Sequence, residues 1–473
     1  MNLAVYDLAL LGIFVIFLAV FLYRKKKNIQ KQGLLLLYRT TWGIKLINNV
    51  GKKYKKLLTK LSYVSIGMGY LLMAGILYLI GKIIYIYIAY PQVVRAIKVP
   101  PIMPLIPYID KIVPNLGLPP FYFTYWIIII AIIAIPHEFA HGIFASLKKI
   151  RIKKTGFGFF PFFLPVFLAA FVELDEKNME KKSKFSQMAI LSAGTFANVL
   201  TAIFFFIIMW LFFSLSFAPT GIIFNDYAYD IVEIGGITMV NGIFITNATY
   251  EKVSNLINEE ELNKIQANGR SYVATKEFLD AQGEIYNYTF LYYDTPAINA
   301  GLEGAITNIN DAKITSLEVF QNELSKYSSG DEIIVKTIVE EEVKEYEIEL
   351  GENPNEEGPG YLGVGFIDSS RSGVMGKIID FISFKKSNIY YKSHFDVAWF
   401  IYHLLWWLVL ISFSVALINM LPVGIFDGGR FFYLSILALT KSKVKAEKTF
   451  KFVTKFFLFL LLLLMVLWAM SFF

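Results

Sequence analysis

The chain has 473 residues, 56% of them hydrophobic and 16% aromatic, with a formal net charge of +7 and no cysteine. A soluble fold of this length hides one or two apolar helices in its core, so this composition excludes one and points to a polytopic membrane protein. Without cysteine there are no disulfides and no thiolate metal sites, and any metal falls to His, Asp or Glu. The charge is unevenly spread. Residues 221–370 carry 27 Asp and Glu against 8 Lys and Arg, which leaves 37 basic and 11 acidic residues for the rest. Basic clusters beside apolar runs read as contacts on the cytoplasmic side of a membrane, not as nucleic-acid binding.

A first span runs from Leu3 to Tyr23 and is stopped by Arg24-Lys25-Lys26-Lys27. A cleavable signal peptide carries its charge before the apolar stretch; here it comes after, so an anchor with its N-terminus outside is expected. Residues 33–61 mix Leu runs with Arg39, Lys45, Lys52, Lys53, Lys55, Lys56 and Lys60, and suit a basic amphipathic segment lying on the inner surface. A second span covers Tyr63 to Tyr90. Residues 91–120, with Pro100-Pro101 and Pro119-Pro120, exclude a regular transmembrane helix and read as an external loop dipping towards the bilayer.

The third span, Phe121 to Leu147, contains Ile135-Pro136-His137-Glu138-Phe139-Ala140-His141-Gly142. On a helix, positions i and i+4 share a face, so His137 and His141 can hold one metal ion, while Glu138 is placed as a general base for hydrolysis. Lys148 lies eleven residues after His137, roughly 16 Å along a helix at ~1.5 Å per residue, which is about half the ~30 Å hydrocarbon core. The pair is therefore expected inside the membrane, where ionisable side chains are costly and signal function.

Residues 156–174 are apolar but broken by Gly156, Gly158, Pro161 and Pro165, which suits a re-entrant loop or hairpin. A fourth span, Met188 to Phe217, opens with Ala193-Gly194-Thr195-Phe196-Ala197-Asn198, whose small residues allow close helix packing and whose Asn198 needs a partner in the bundle. Residues 221–370 turn acidic and Gly-punctuated. Val335–Val339 and Tyr346–Leu350 alternate as strands do, separated by a charged turn. A fifth span covers Val397 to Leu421 and a sixth Phe452 to Phe473, with Lys441, Lys443, Lys445 and Lys448 between them. Placing the basic clusters inside makes six spans alternate and puts the acidic region outside.

A stable zinc site needs a third protein ligand. His394 and His403 stand at the outer end of the fifth span and read as interfacial. At its inner end, Asn419-Met420-Leu421-Pro422-Val423-Gly424-Ile425-Phe426-Asp427-Gly428-Gly429 offers an isolated carboxylate, Asp427, between apolar residues and turn-forming glycines.

These three stretches resemble the site-2 protease family of intramembrane zinc metalloproteases. The HExxH motif is His137 to His141, the N-x-x-P-x4-D-G motif is Asn419, Pro422, Asp427 and Gly428, and the G-x-x-x-N between them is Gly194 and Asn198. The resemblance covers roughly 121–218 and 397–440. It implies one Zn2+ per chain held by His137, His141 and Asp427, with Glu138 as the catalytic base. Asn198 and Asn419 are both candidates for holding substrate or oxyanion. One branch of the family inserts a PDZ domain between the two halves. Thr295-Pro296-Ala297-Ile298-Asn299-Ala300-Gly301-Leu302 is similar to its "PA..AGL" signature, with Ser316 to Tyr327 as the helix beside a peptide groove. The expected groove would bind a peptide or substrate tail at residues that stay unknown; 221–290 is unassigned.

The expected architecture is a polytopic α-helical membrane protein with about six transmembrane helices and an inserted extracytoplasmic α+β PDZ-like domain. Its parts are 1–120, 121–218, 219–370, 371–440 and 441–473. The expected partners are the lipid bilayer and transmembrane protein substrates, cut within or beside a membrane helix. A metal transporter and a surface-facing membrane zinc peptidase are the alternatives. The first would favour several weak sites along a path, and the second usually takes a downstream glutamate as third ligand.

Overall fold

Backbone polar groups in lipid must be satisfied within their own segment, so long apolar stretches become helices. Among the described residues of the computed structural model six helices are long and apolar enough to cross a membrane. The structure describes residues 3–32, 35–97, 100–101, 103, 105–112, 118–159, 168–259, 261–282, 287–354, 358–366 and 383–470. The chain divides into two compact units, one of Met1–Phe213 with Trp399–Phe473, the other of Ser214–Ala398.

The first unit begins with α1 (Leu3–Arg24), strands β1 (Ile29–Gln32) and β2 (Leu35–Thr40), α2 (Ile44–Lys53) and α3 (Lys55–Ala89). Residues 33–61 are thus not one surface segment. Its leucine-rich beginning, Leu35–Thr40, pairs as a strand, and only its middle is an amphipathic helix. Two short helices follow, α4 (Pro91–Ile97) and α5 (Ile109–Ile112), and no strand forms among the described residues of 91–120. Helix α6 (Phe123–Leu147) carries the two histidines. Next come β3 (Ile152–Phe159), β4 (Leu168–Leu174), α7 (Glu176–Glu180), capped by the Asp175 side chain, and α8 (Lys184–Ser216).

The four strands make one antiparallel sheet in the order β1-β2-β3-β4. The described residues of 156–174 therefore pair as the two arms of a hairpin, as expected; Pro161 and Pro165 lie outside the described residues. At Gly156 a Cβ would sit 1.9 Å from the Tyr38 carbonyl oxygen, so this glycine is what lets β2 and β3 approach.

The start of α6 is capped from another helix. Tyr122 stands at its N-cap position and supplies no side-chain cap. Asp7 of α1, buried in an otherwise apolar stretch, does so instead. Its Oδ2 accepts from the Tyr108 hydroxyl at 2.7 Å and the Phe123 N–H at 2.9 Å. Its Oδ1 accepts from the Thr124 N–H at 2.8 Å and the Thr124 hydroxyl at 2.6 Å. A carboxylate at a helix N-terminus satisfies orphan N–H groups and favours the helix dipole.

The second unit is an α+β insert with two larger cores and a small third cluster of Val273, Tyr292 and Ile298. Strand β5 (Phe217–Ile223) starts it. Then β6 (Asp226–Tyr227), β7 (Tyr229–Glu233), β8 (Ile237–Val240), β9 (Ile243–Phe244), α9 (Tyr250–Asn255), β10 (Asn263–Ala267), β11 (Arg270–Ala274), α10 (Lys276–Gln282) and β12 (Tyr288–Tyr293) follow. Here the unassigned stretch 221–290 becomes a sheet ordered β7-β12-β11-β10-β8-β9 around buried Val232, Val240, Ile265 and Leu291. The rest is α11 (Pro296–Asn299), β13 (Ala305–Ile309), β14 (Ala312–Lys313), α12 (Leu317–Leu324), β15 (Glu332–Val339), β16 (Glu342–Glu349), β17 (Val364–Gly365) and β18 (Ile389–Ser393). The expected strand pair is the β15–β16 hairpin, with Val335 opposite Tyr346. The sheet order is β16-β15-β13-β5-β18, and α12 begins at a Ser316 cap whose Oγ accepts from the Val319 N–H.

Helices α13 (Ala398–Asn419), α14 (Asp427–Thr440) and α15 (Lys443–Met470) return the chain to the first unit. Hydroxyl pairs tie the helices together: Ser65 of α3 meets Ser192 of α8 at 2.7 Å, and Tyr70 of α3 meets Ser435 of α14 at 2.9 Å. In a membrane such pairs serve where the hydrophobic effect cannot.

Candidate metal centre

On α6, His137 and His141 stand one turn apart with both rings buried, and their Nε2 atoms are 3.1 Å from each other. Pro136 immediately before them removes one helical hydrogen bond without ending the helix. Asp427 arrives from elsewhere in the sequence. Its Oδ2 lies 3.4 Å from His137 Nε2 and 3.2 Å from His141 Nε2. Among the described residues this is the one group of three His, Cys, Asp or Glu side chains close enough to share an ion.

The local backbone explains how Asp427 gets there. Helix α13 ends at Asn419, a tight turn over 420–426 follows, and Asp427 is the first residue of α14. The new helix presses back on its own turn: a Cβ at Gly428 would sit 2.3 Å from the Met420 carbonyl carbon, and one at Gly429 2.3 Å from the Val423 oxygen. Only glycines permit that reversal.

The donor set fits zinc. Ligand atoms about 2.0–2.1 Å from a tetrahedral ion lie about 3.3 Å from one another, and the three edges here are 3.1, 3.2 and 3.4 Å. The outer ring atoms agree. His141 Nδ1 is 2.7 Å from the Ile190 carbonyl oxygen, which can only accept, so the ring hydrogen is on Nδ1 and Nε2 keeps a lone pair. His137 Nδ1 is 3.0 Å from Nδ2 of Asn198, and the Oδ1 of Asn198 is buried with no partner among the described residues. A metal on His137 Nε2 puts the ring hydrogen on Nδ1, and turning the Asn198 amide end for end gives that hydrogen the orphaned oxygen.

Helix α8 closes the back of the triangle. A Cβ at Gly194 would lie 2.4 Å from His141 Nε2 and 2.6 Å from His137 Nε2. Gly194 thus gives the close packing expected of this small-residue stretch, and gives it beside the ligand atoms. Glu138 stands off the triangle, and the Val172 N–H of β4 donates to its Oε2 at 2.9 Å. Nothing in the sequence pairs Val172 with Glu138, since a backbone group carries no residue signature.

The triangle and Glu138 border a cavity of about 980 Å³. Asn198 and Asn419 line it with them, while Trp126, Ile129, Ile133 and Ile411 make it mostly apolar. Met103, Leu105 and Ile106 of the Pro-rich loop reach the same cavity. His394 and His403 are elsewhere: His394 Nδ1 lies 3.2 Å from the Leu215 carbonyl, and His403 packs its ring beside Trp399. The sequence model of peptidase family M50 matches residues 125–464, which spans every residue of the centre.

Proposed function

Because the chain belongs to peptidase family M50, a family of membrane-associated metallopeptidases, we propose that it is a zinc protease that cuts peptide bonds within or beside transmembrane helices of other proteins. The observation that carries this reading is Glu138: a carboxylate beside the His137–His141–Asp427 triangle, outside the ligand set, held by the Val172 N–H and open to an apolar cavity.

His137, His141 and Asp427 would hold the ion. When bound, zinc supplies Lewis acidity, making water a nucleophile near neutral pH and polarising the carbonyl under attack. Glu138 takes the proton from the attacking water and returns it to the leaving amine. The hydrogen bond from Val172 occupies Oε2 and leaves Oε1 for that transfer. Asn198, against the His137 ring, orients that imidazole; Asn419, on the cavity wall, is the better placed of the two amides to meet an oxyanion.

A substrate helix must unwind before its carbonyl can be attacked. The sheet order leaves the far edge of β4 unpaired among the described residues, and β4 residues Ala169 and Ala170 line the cavity. An unwound segment adding to that edge would lie beside Glu138. The insert between α8 and α13 is proposed to be PDZ-like, to lie outside the cytoplasm and to take a peptide or substrate tail beside α12.

The test is cleavage of a panel of single-span substrates by purified protein, with and without a zinc chelator, alongside Glu138→Gln. Zinc content should stay at wild-type level in the variant while cleavage falls ~10²–10⁴-fold, the range for loss of a general acid–base. A variant that cuts as fast as wild type removes Glu138 from the mechanism. Zinc movement across vesicles without cleavage would favour a transporter.

A further inference from the structure

Helix α2 carries a face left exposed among the described residues. Ile44, Ile47, Asn48 and Gly51 fall on one side, and Ile47 is fully buried. Lys45, Asn49, Lys52 and Lys53 fall on the other and are exposed, followed by exposed Lys55, Lys56 and Lys60 at the start of α3. Between them stand exposed Trp42, Leu46, Tyr54 and Leu57. The sequence has no carboxylate between Asp7 and Asp110, and no ion pair forms at these six lysines among the described residues. Six cations interleaved with aromatic and aliphatic side chains match a layer of anionic headgroups over acyl chains.

The opposite side of the same helix lies against α6. Ile47 fills the space over Gly142, where a Cβ would sit 3.0 Å from its Cγ2, and Gly51 meets Ser146, where one would sit 2.8 Å from the serine Oγ. Trp42 packs on Phe139 with ring centroids 5.9 Å apart. Phe139, Gly142 and Ser146 belong to the turns that hold His137, Glu138 and His141. Through β2 the same segment joins the sheet whose β4 holds Glu138.

We propose that the outward face of α2 and its flanks binds anionic phospholipid headgroups, and that the bound lipids steady the catalytic turns of α6. The second half rests on the protease reading above; the first does not. The basic patch then acts as more than a mark of topology: the surface charge of the membrane is an input to the active site.

The chain has no cysteine, so Asn49→Cys gives one site for a fluorophore on this face. In mixed vesicles, brominated phosphatidylglycerol should quench that probe in preference to brominated phosphatidylcholine, with a relative association of at least about five that falls as salt rises. Changing Lys52, Lys53, Lys55 and Lys56 to Gln should bring the ratio near one, and changing them to Arg should keep it. A ratio near one in the unsubstituted lysine background overturns the lipid site. Wild-type cleavage of a single-span substrate should rise several-fold when phosphatidylglycerol is added, and the Gln variant, with zinc content intact, should not respond. Equal wild-type rates in both vesicles overturn the coupling to α6. Selective quenching with no cleavage in any vesicle would leave the lipid site standing and sink the protease reading.

Discussion

Gly194→Ala is the sharpest probe of the centre because two effects of one methyl group point opposite ways. Alanine is the better helix former by ~0.5–1 kcal/mol, so on propensity alone α8 gains. The added carbon would, however, stand 2.4 Å and 2.6 Å from the two imidazole Nε2 atoms. A zinc ion sits about 2.0–2.1 Å from such nitrogens, so methyl and metal compete for nearly the same space. Relief requires α6 and α8 to part by about 1 Å, which overpacked cores resist at about 1–3 kcal/mol. Zinc affinity should fall by at least the ~10–100-fold seen when only a ligand's supporting partner is lost. Gly67→Ala on α3, where nothing lies within 4 Å of the added carbon, is the control. The assay is zinc per chain after gel filtration, with thermal unfolding measured with and without added zinc. Gly194→Ala should lose the metal and the zinc-dependent rise in unfolding temperature while Gly67→Ala keeps both. If Gly194→Ala holds as much zinc as wild type, the triangle is not where the metal binds.

Asp427→Ala should likewise empty the site, and undiminished zinc content there would remove Asp427 as a ligand. Val172→Pro deletes the N–H that reaches Glu138 at a strand edge that proline tolerates, so cleavage should drop while zinc stays bound; unchanged cleavage would mean that Val172 does not orient the base. For topology, single cysteines replacing Lys182 and Lys443 should label only from the cytoplasmic side and one replacing Ser329 only from outside. Labelling of positions 182 and 329 from one side would overturn the six-span arrangement.

What the sequence made legible follows the range of each interaction. His137 and His141 could be paired because a helix repeats every 3.6 residues, and Asp427 because a lone carboxylate among glycines and apolar residues stands out. The space beside Gly194 depends on how near two helices come, which no local pattern encodes. The Val172 hydrogen bond uses backbone, and the orphaned oxygen of Asn198 appears only once the His137 ring is in place. Residues 33–61 split because the sheet offered β2 a partner in β3, over a hundred residues away. In 221–290, strands of only two to six residues, with strict alternation of burial in β10 but not in β7, β8, β11 or β12, concealed a second sheet. Asp7 could have been flagged, since any carboxylate inside an apolar span asks for a partner; its partners were the unknown.

The hydrogen bonds of Asp7 also set a timetable. Phe123 and Thr124 follow it by 116 and 117 residues, roughly 6 to 23 seconds of synthesis at ~5–20 residues per second. During that interval α1 is already made and its carboxylate lacks the donors of Phe123 and Thr124. Asp7 stands only four residues into α1, roughly 6 Å along it, and so is spared the ~2.5–3.5 kcal/mol of the bilayer centre while it is unpaired. The final seating of α1 therefore waits on the start of α6.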